Sequence, residues 1–383
     1  MSEPHTCRFC RATAGEIVLD LGDQPAADHF PPVEEPGPDP AYPLQMWLCA
    51  TCGLAQLLVD PTAPEEPRGA EPAALVEQAE DAVDRVARAG WLPAGARIAE
   101  YGSPHGGSWL ASLAARGLAP VDDGDLADVV LDCFGLMHSA DQAAALAKRA
   151  ARVAPGGVLL LQYHSLATIM RLGQWNSLRH GHYAYYSTTA LGRMLGEVGF
   201  APRQAWRFGL YGGTMLLAAT RGGAADDESA VETGPGASVG DLLAEEAALG
   251  VEDPARVRAL QDSAVSRAEA LHLWLVEQKA AGSTVLGYGA ASRAVALLCR
   301  AGVDRSLLGA VADASPAKHG RRMPATDIPV VAPDELVAAR PDAVALFLPD
   351  LMREIRTTLP EIEAAGGRWV DVEDPGLCPA AEG

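Results

Sequence analysis

Two Cys-x-x-Cys pairs near the amino terminus constrain this chain more than any other feature of its sequence. Cys7 and Cys10 form the first pair, and Cys49 and Cys52 form the second. Together they supply four thiolates, which suit a tetrahedral zinc ion and leave no coordination position for catalysis. In a loop-rich segment of about 50 residues, a metal replaces the core that the segment is too small to build. The pattern predicts a structural zinc site. Two unrelated pairs, or a redox pair, are the alternative.

The charge of the chain restricts its partners. It carries 50 acidic and 30 basic residues, a formal charge of −20, and no basic stripe. This balance argues against nucleic acid or an anionic membrane as the main partner, so an anionic substrate needs a few local cations. The first residues show no signal-peptide pattern, and no run of about 18 apolar residues occurs. We therefore expect a cytoplasmic protein.

Strand and helix patterns alternate through the rest of the chain. Residues 96–102, 127–136 and 157–164 are predicted strands, and helices are predicted between them. Such alternation predicts an α/β fold around a mostly parallel sheet. A polar, low-complexity segment then precedes a second α/β unit. We predict a small zinc-binding N-terminal domain and two Rossmann-like α/β domains, over residues 1–60, 73–221 and 240–383.

Motifs at both ends of the chain resemble one family. Three motifs resemble the amino-terminal domain of sugar C-methyltransferases: CRFC, LDLGDQPAADHF (19–30) and LCATCGLAQL (48–57). These enzymes act on nucleotide-linked 4-keto deoxysugars in antibiotic pathways. VLGYGAASRA (285–294) and ADASPAKHGRRMPATDIPV (312–330) resemble the carboxy-terminal domain of the same family. The resemblance covers nearly the whole chain and is weakest in the middle.

The resemblance implies a specific chemistry. In the family, a zinc-binding domain is followed by an S-adenosylmethionine (SAM) domain and a Rossmann-like domain. The sugar nucleotide, expected here to carry thymidine diphosphate, lies between the second and third domains. A base removes the proton from C3 of the 4-keto sugar, the enolate is stabilised, and the carbanion attacks the methyl group of SAM. The implied cofactors are structural Zn²⁺ and SAM.

The expected cofactor loop departs from the family pattern. The family has E-x-G-x-N-D-G after its first strand, whereas this chain has EYGSPHG, with Pro104 and His105 in place of the Asn-Asp pair. Glycines in such a turn let the backbone approach a ligand at a helix amino terminus. On this resemblance the cofactor-binding residues are Glu100, Gly102, Ser103, Gly106 and Phe134.

The central domain is also short for a SAM domain. Only about 25 residues separate Gly102 from Val129, so the usual second and third strands cannot both have ordinary length. In the family, an acid after the second strand holds the ribose hydroxyls of the cofactor. The acids nearest that position are Asp122, Asp123 and Asp125, and nothing in their spacing selects one of them.

The candidate base lies in WNSLRHGHYAYYS (175–187), which lines up with the family pattern F-D-x-I-Y-H-E-H-x-x-Y-F-S. His180 and His182 match its two histidines, and Tyr185 matches its tyrosine as a substrate contact. A histidine of near-neutral pKa suits proton removal beside a ketone. His182 is the predicted base, assisted by His180 and by His138, which matches another family histidine near the sugar.

Two positions of this motif differ from the family. Arg179 replaces a tyrosine, and Gly181 replaces a glutamate that would orient a histidine. The Arg179 guanidinium is expected either to stabilise the enolate or to bind a phosphate.

The last domain carries the predicted sugar-nucleotide site. Its glycine turn follows a strand and opens a helix, which presents backbone N–H groups to phosphate oxygens. A local basic cluster follows the next strand and suits a diphosphate. One alternative is a packing turn beside a solvated charged loop. A nicotinamide cofactor is a third possibility, although the spacing of the third glycine is absent. The predicted substrate-binding residues here are Gly287, Tyr288, Gly289, Arg293, Asp313, Lys318 and Arg321.

Three functions remain open at this point. The main prediction is a zinc-stabilised, SAM-dependent C3-methyltransferase for a nucleotide-linked keto sugar. A derived member that enolises the sugar without methylating it, as an epimerase or isomerase, would also keep the histidines. The changes at Arg179 and Gly181 favour the third possibility, a non-catalytic partner subunit.

Overall fold

A computed structural model describes residues 5–35, 37–62, 71–104, 106–210, 213–222, 238–374 and 377. Within these residues the chain forms three sheets, one in each predicted segment, with helices around the second and third. The predicted α/β fold class is confirmed, while the domain boundaries remain predictions. His105 and most of the low-complexity segment before residue 238 lie outside the described residues. Among those residues, no helix combines the length and apolar content that a membrane span requires.

The amino-terminal sheet is antiparallel and includes a strand from far along the chain. Its first strands are β1 (Gly15–Pro25), β2 (Ala41–Cys49) and β3 (Ala55–Leu57). A two-residue strand, Ala184–Tyr185, pairs with β3 and completes the order. The amino-terminal sheet therefore holds the segment that carries the candidate base.

The central segment packs helices against a six-stranded sheet. Polar N-caps start several of its helices: the side chains of Asp141, Ser165 and Ser187 each accept a backbone N–H of the first turn. Its elements are α1 (Ala73–Arg88), β4 (Arg97–Gly102), α2 (Leu110–Ala115), β5 (Ala119–Pro120), β6 (Ala127–Cys133), α3 (Gln142–Arg152), β7 (Val153–His164), α4 (Leu166–Leu172), β8 (Ala184–Tyr185), α5 (Thr188–Glu197), β9 (Phe200–Phe208) and β10 (Thr214–Arg221).

The second strand of this sheet is only two residues long. β5 pairs in parallel with Arg97 and Ile98 at the start of β4, which continues to Gly102. The order is β5-β4-β6-β7-β10-β9, and the described residues form no other strand between β5 and β6 along the chain. The prediction that the second and third strands cannot both have ordinary length is therefore confirmed.

The acids after β5 lie at the wrong end of the sheet to bind a ribose. Arg152 is the last residue of α3 and immediately precedes β7, so it lies at the amino end of that strand. It donates from Nε to the carbonyl oxygen of Asp125 at 2.7 Å and from Nη2 to that of Asp122 at 2.9 Å. Ligands of open α/β sheets bind at the opposite, carboxyl edge. Asp122, Asp123 and Asp125 are therefore not retained as ribose ligands.

The carboxy-terminal segment forms a five-stranded parallel sheet with the order β13-β12-β11-β14-β15. Its first helices pack on other parts of the molecule. For example, Glu246 accepts hydrogen bonds from the backbone N–H groups of Thr188 and Thr189 at the start of α5. The elements are α6 (Val239–Leu249), α7 (Pro254–Val257), α8 (Ala259–Ala280), β11 (Val285–Tyr288), α9 (Ser292–Arg300), β12 (Val311–Ala312), β13 (Val330–Val331), α10 (Pro333–Ala339), β14 (Ala343–Leu346), α11 (Met352–Thr358), α12 (Glu361–Ala364) and β15 (Arg368–Asp371).

Two arginines dock the amino-terminal segment onto the carboxy-terminal one. Arg321 donates from Nη1 to the carbonyl oxygen of Phe30 at 2.6 Å. Arg322 is buried and forms a two-pronged ion pair with Asp39, at 2.7 and 2.6 Å. Arg321 does not line the cavity described below, and its guanidinium serves an interface between segments, so its diphosphate role stays a prediction without support from this contact.

Replacing Asp39 with asparagine should lower the free energy of unfolding by about 3–5 kcal/mol, because Arg322 would stay buried without its counter-charge. Urea unfolding followed by circular dichroism measures this loss. Glu77→Gln is the matched control, since the Glu77–Arg353 pair is exposed and worth less than about 1 kcal/mol. A loss for Asp39→Asn no larger than that of the control would contradict the assignment.

Candidate functional site

The four amino-terminal cysteines meet in one cluster. Cys7 and Cys52 have their Sγ atoms 3.6 Å apart, as do Cys10 and Cys49, and all four sulfurs lie within 4.8 Å of one another. Tetrahedral zinc with Zn–S bonds of about 2.3 Å requires sulfur separations of this size. The cluster fits zinc and leaves no ligand position for a substrate.

Backbone turns and a glutamine support this cluster. The N–H of Phe9 donates to Cys7 Sγ at 3.4 Å, and the Gln56 side chain accepts the N–H of Arg8 at 2.9 Å. The hydrogen bond with Cys52 lowers the pKa of Cys7 to about 5, and the same contact together with burial raises the pKa of Cys52. One thiol of the pair thus ionises at the expense of the other, and a divalent cation among the sulfurs would allow both to ionise.

A cavity of about 380 Å³ lies where all three segments meet. The amino-terminal segment contributes Asp28 and Phe30 to its wall. The central segment contributes loops at the carboxyl ends of β4 and β6, and the carboxy-terminal segment contributes the glycine turn after β11. The predicted site residues that line this cavity are Ser103, Gly106, Phe134, His138, Arg179, His182, Tyr288, Gly289, Arg293, Asp313 and Lys318.

The glycine turn after β4 forms the central wall of the cavity. Gly102 pairs with Phe134, and Ser103 pairs with Gly106, as isolated backbone bridges. Gly106 adopts a φ of +97°, which disfavours any side chain there. Glu100 lies behind the turn and accepts hydrogen bonds from Ser108 Oγ at 2.6 Å and from the Trp109 N–H at 2.7 Å. The turn therefore offers bare backbone to a ligand, while Glu100 secures the start of α2.

His138 and His182 lie next to each other in the cavity wall. Their ring centroids are 4.8 Å apart in an edge-to-face arrangement. His138 Nδ1 lies 3.0 Å from the carbonyl oxygen of Gly181, so Nδ1 carries the hydrogen and Nε2 is the basic nitrogen. Ser103 Oγ lies 3.5 Å from that Nε2. Gly181 has a φ of +82°, which explains a glycine at this position.

A buried network holds the loop that carries His138. Asp132 is buried and accepts the Leu136 N–H at 3.0 Å, and Arg149 Nε balances its charge at 2.5 Å. The Gln142 amide donates to the carbonyl oxygens of Leu136 and Ser139 at 2.9 and 2.7 Å. These hydrogen bonds fix the backbone of the loop that carries the His138 imidazole.

His180 and Tyr185 lie outside the cavity wall. His180 is 4% exposed, its Nε2 is 3.2 Å from the Pro43 carbonyl oxygen, and burial lowers its pKa. Its proposed assistance in catalysis is therefore not retained. Tyr185 is buried, and its hydroxyl accepts the Arg179 N–H at 3.0 Å. It supports the motif from behind rather than contacting a substrate.

Arg179 links all three segments at the cavity. Its guanidinium pairs with Asp28 at 3.2 Å and donates to Ser292 Oγ at the start of α9. The ion pair with Asp28 keeps its side chain only 12% exposed. Arg179 therefore holds the cavity wall together and still borders the cavity.

The carboxy-terminal residues divide between packing and the cavity. A Cβ on Gly287 would lie 2.8 Å from the Phe347 ring, so this glycine permits close packing and does not line the cavity. Lys318 is buried, donates to the Ala290 carbonyl oxygen at 2.6 Å and pairs with Asp313 at 3.5 Å. Its charge is therefore largely neutralised.

Arg293 keeps donors available at the cavity. Its Nη2 pairs with Glu373 at 3.1 Å and lies 3.5 Å from Asp350. Its Nε and Nη1 are buried and have no hydrogen-bond acceptor among the described residues. A ligand anion in the cavity would supply that acceptor.

Several cavity residues carried no sequence signal. Glu71 and Pro72 precede α1, Glu354 lies in α11, and Ser292 begins α9. They are ordinary residues in loops or at helix starts, and only the packing of the segments places them together. The same holds for His164 at the end of β7.

Three features define a zinc-stabilised, methyltransferase-like protein. They are the zinc cluster, the shortened SAM-type sheet and the cavity where the three segments meet. Three family models match the chain in succession: "Putative zinc binding domain" over residues 7–66, "Methyltransferase domain" over 74–205 and "C-methyltransferase C-terminal domain" over 210–372. Together the three matches run from residue 7 to residue 372, in the domain order that the resemblance to C-methyltransferases implies. The zinc and SAM predictions agree with the first two matches.

Individual relatives are more distant. The C-methyltransferase NovU of Streptomyces niveus is 26% identical over 239 residues, which are 62% of this chain and 54% of NovU. The match thus spans about half the length of that relative. Among solved structures, the magnesium protoporphyrin IX methyltransferase ChlM of Synechocystis PCC 6803 has a TM-score of 0.30 at 14% identity. That match covers 40% of this chain and 90% of the ChlM chain. The N-methyltransferase NodS of Bradyrhizobium japonicum WM9 has a TM-score of 0.30 at 12% identity. That match covers 40% of this chain and 100% of NodS.

Proposed function

We propose that this protein transfers a methyl group from SAM to C3 of a nucleotide-linked 4-keto deoxysugar, in a pathway of antibiotic type. The observation that supports this most is the common cavity, where the glycine turn after β4, the His138–His182 pair and the glycine turn after β11 meet. The relative NovU is named a C-methyltransferase, which supports carbon as the methylated atom.

In this proposal His182 removes the C3 proton. The electron pair of the C–H bond moves into the enolate, and the proton stays on the imidazole until solvent takes it. His138 lies beside His182, with ring centroids 4.8 Å apart, and its Nδ1 is held by the Gly181 carbonyl oxygen at 3.0 Å. SAM, when bound, supplies the electrophilic methyl group. Excluding water from the site strengthens each of these interactions.

The charged residues of the cavity wall suit the rest of the substrate. Arg293 borders the cavity, and although its Nη2 pairs with Glu373, its Nε and Nη1 have no acceptor among the described residues, which favours it as the contact for the diphosphate. Arg179 lies beside the histidine motif and suits the enolate oxygen. Thymidine is our assignment for the nucleoside by resemblance to the family.

A second function, enolisation without methyl transfer, has one observation in its favour. The second strand, after which the family carries the ribose acid, is only two residues long here, and the acids after β5 are held at the amino end of the sheet. An enzyme that kept the histidines and lost SAM would epimerise or isomerise the keto sugar.

Calorimetric titration separates these functions. We expect the protein to bind both S-adenosylhomocysteine (SAH) and thymidine diphosphate at micromolar concentrations. Binding of the nucleotide without SAH would overturn methyl transfer and favour the enolising enzyme. Binding of neither would point to a non-catalytic partner subunit.

A further inference from the structure

A carboxylate from an unexpected part of the chain lies against the glycine turn after β4. Glu71, just before α1, accepts the Gly107 N–H at 3.0 Å through Oε1. A Cβ on Gly106 would lie 3.7–3.9 Å from the carboxylate atoms of Glu71. Glu71 therefore occupies the carboxyl edge of the sheet, the edge that the acids after β5 do not reach.

The other carboxylates of the cavity wall are engaged elsewhere. Asp28 pairs with Arg179, and Asp313 pairs with Lys318. Glu354 uses both oxygens, which accept the N–H groups of Ala73 and Ala74 at 3.2 and 3.0 Å. Within the described residues, the only hydrogen bond of the Glu71 carboxylate is the one from Gly107, so its second oxygen is available to a ligand.

The position of Glu71 is set by its neighbours. Pro72 fixes the backbone at the start of α1, and Glu354 holds the first turn of that helix through its two N–H groups. Glu71 is exposed at the cavity wall, and the helix that begins two residues later is anchored to the carboxy-terminal segment. It is therefore oriented before a ligand arrives.

We propose that Glu71 binds the ribose hydroxyls of SAM and replaces the acid that the shortened sheet has lost. This inference rests on the proposed function. Oε1 stays oriented by Gly107, while Oε2 accepts a charge-assisted hydrogen bond from a ribose O–H. The carboxylate thus reaches the cofactor from the segment before α1 instead of from the second strand.

The test is a calorimetric titration of the full-length protein with SAH and with its 2′-deoxy analogue. Glu71→Gln should weaken SAH binding by about 10- to 100-fold, because a hydrogen bond to a charged group is lost. The 2′-deoxy analogue should bind the wild type correspondingly more weakly, and Glu71→Gln should weaken that analogue little further. Glu77→Gln, at an exposed position of α1, is the matched control and should bind SAH like the wild type.

The possible results of these titrations distinguish failure of the Glu71 proposal from failure of the proposed function. If the wild type binds SAH and Glu71→Gln binds it equally well, the role of Glu71 is overturned while the proposed function stands. If Glu71→Gln loses SAH affinity but discriminates against the 2′-deoxy analogue as strongly as the wild type does, the ribose assignment is overturned. If the wild type binds no SAH, the proposed function fails and this inference fails with it. Equal melting temperatures of the variants and the wild type verify the fold.

Discussion

Replacing Cys52 with serine is expected to reduce bound zinc from one ion per chain to almost none and to unfold the amino-terminal sheet. Cys52 is buried, and its sulfur is one of four within 4.8 Å. A structural zinc ion in a small domain contributes about 10–16 kcal/mol to folding, more than the segment's small core can replace. Metal analysis and hydrogen exchange of β1 to β3 measure the two effects.

Loss of the zinc ion should also disturb the cavity. β3 pairs with β8, and the Leu57 N–H donates to the Tyr183 carbonyl oxygen at 3.2 Å, next to His182. We therefore expect Cys52→Ser to lose thymidine diphosphate binding as well. Cys299→Ser, at a half-buried thiol outside the cluster, is the control and should keep both zinc and ligand. A Cys52→Ser protein with full zinc content and unchanged protection of β1 to β3 would refute the structural role.

His182→Asn is expected to slow exchange of the substrate C3 proton with solvent deuterium by about 10²- to 10⁴-fold, the usual contribution of a general base. The asparagine keeps a polar group at the cavity wall but cannot take the proton. Exchange followed by proton NMR, without SAM, isolates this step from methyl transfer. His180→Asn is the matched control, because the structure places His180 outside the cavity.

The control separates catalysis from stability. We expect His180→Asn to exchange within about threefold of the wild type, because the His180 ring contacts the Pro43 carbonyl oxygen and the Tyr42 ring and does not line the cavity. Unchanged exchange in His182→Asn would exclude His182 as the base and direct attention to His138 Nε2.

Much of the fold followed from local sequence. The zinc ligands were identified by their spacing alone, because each Cys-x-x-Cys turn presents two sulfurs whatever surrounds it. β4, β6 and β7 were predicted close to their observed bounds, since continuous apolar runs mark buried parallel strands. The amino-terminal segment was expected to be rich in loops, and the structure has strands there, one of which pairs with a partner far along the chain.

The candidate site was predicted in part. His138, His182 and Arg293 do line one cavity, as their motifs indicated. His180, in the same motif as His182, turns away into the protein, and Arg321 is bound to the amino-terminal segment. A motif defines which residues are near in sequence, whereas the direction of each side chain depends on what packs behind it.

The sequence by itself determined the zinc cluster, the α/β class, the shortness of the central sheet and the family. These depend on residue spacing and on periodicity within a few turns or strands. Only the tertiary structure decided that a basic loop is an interface, that the acids after β5 lie at the wrong edge, and that Glu71 lies at the right one. Those outcomes depend on ion pairs and backbone contacts between residues far apart in the chain, and no local pattern encodes which partner a charge will find.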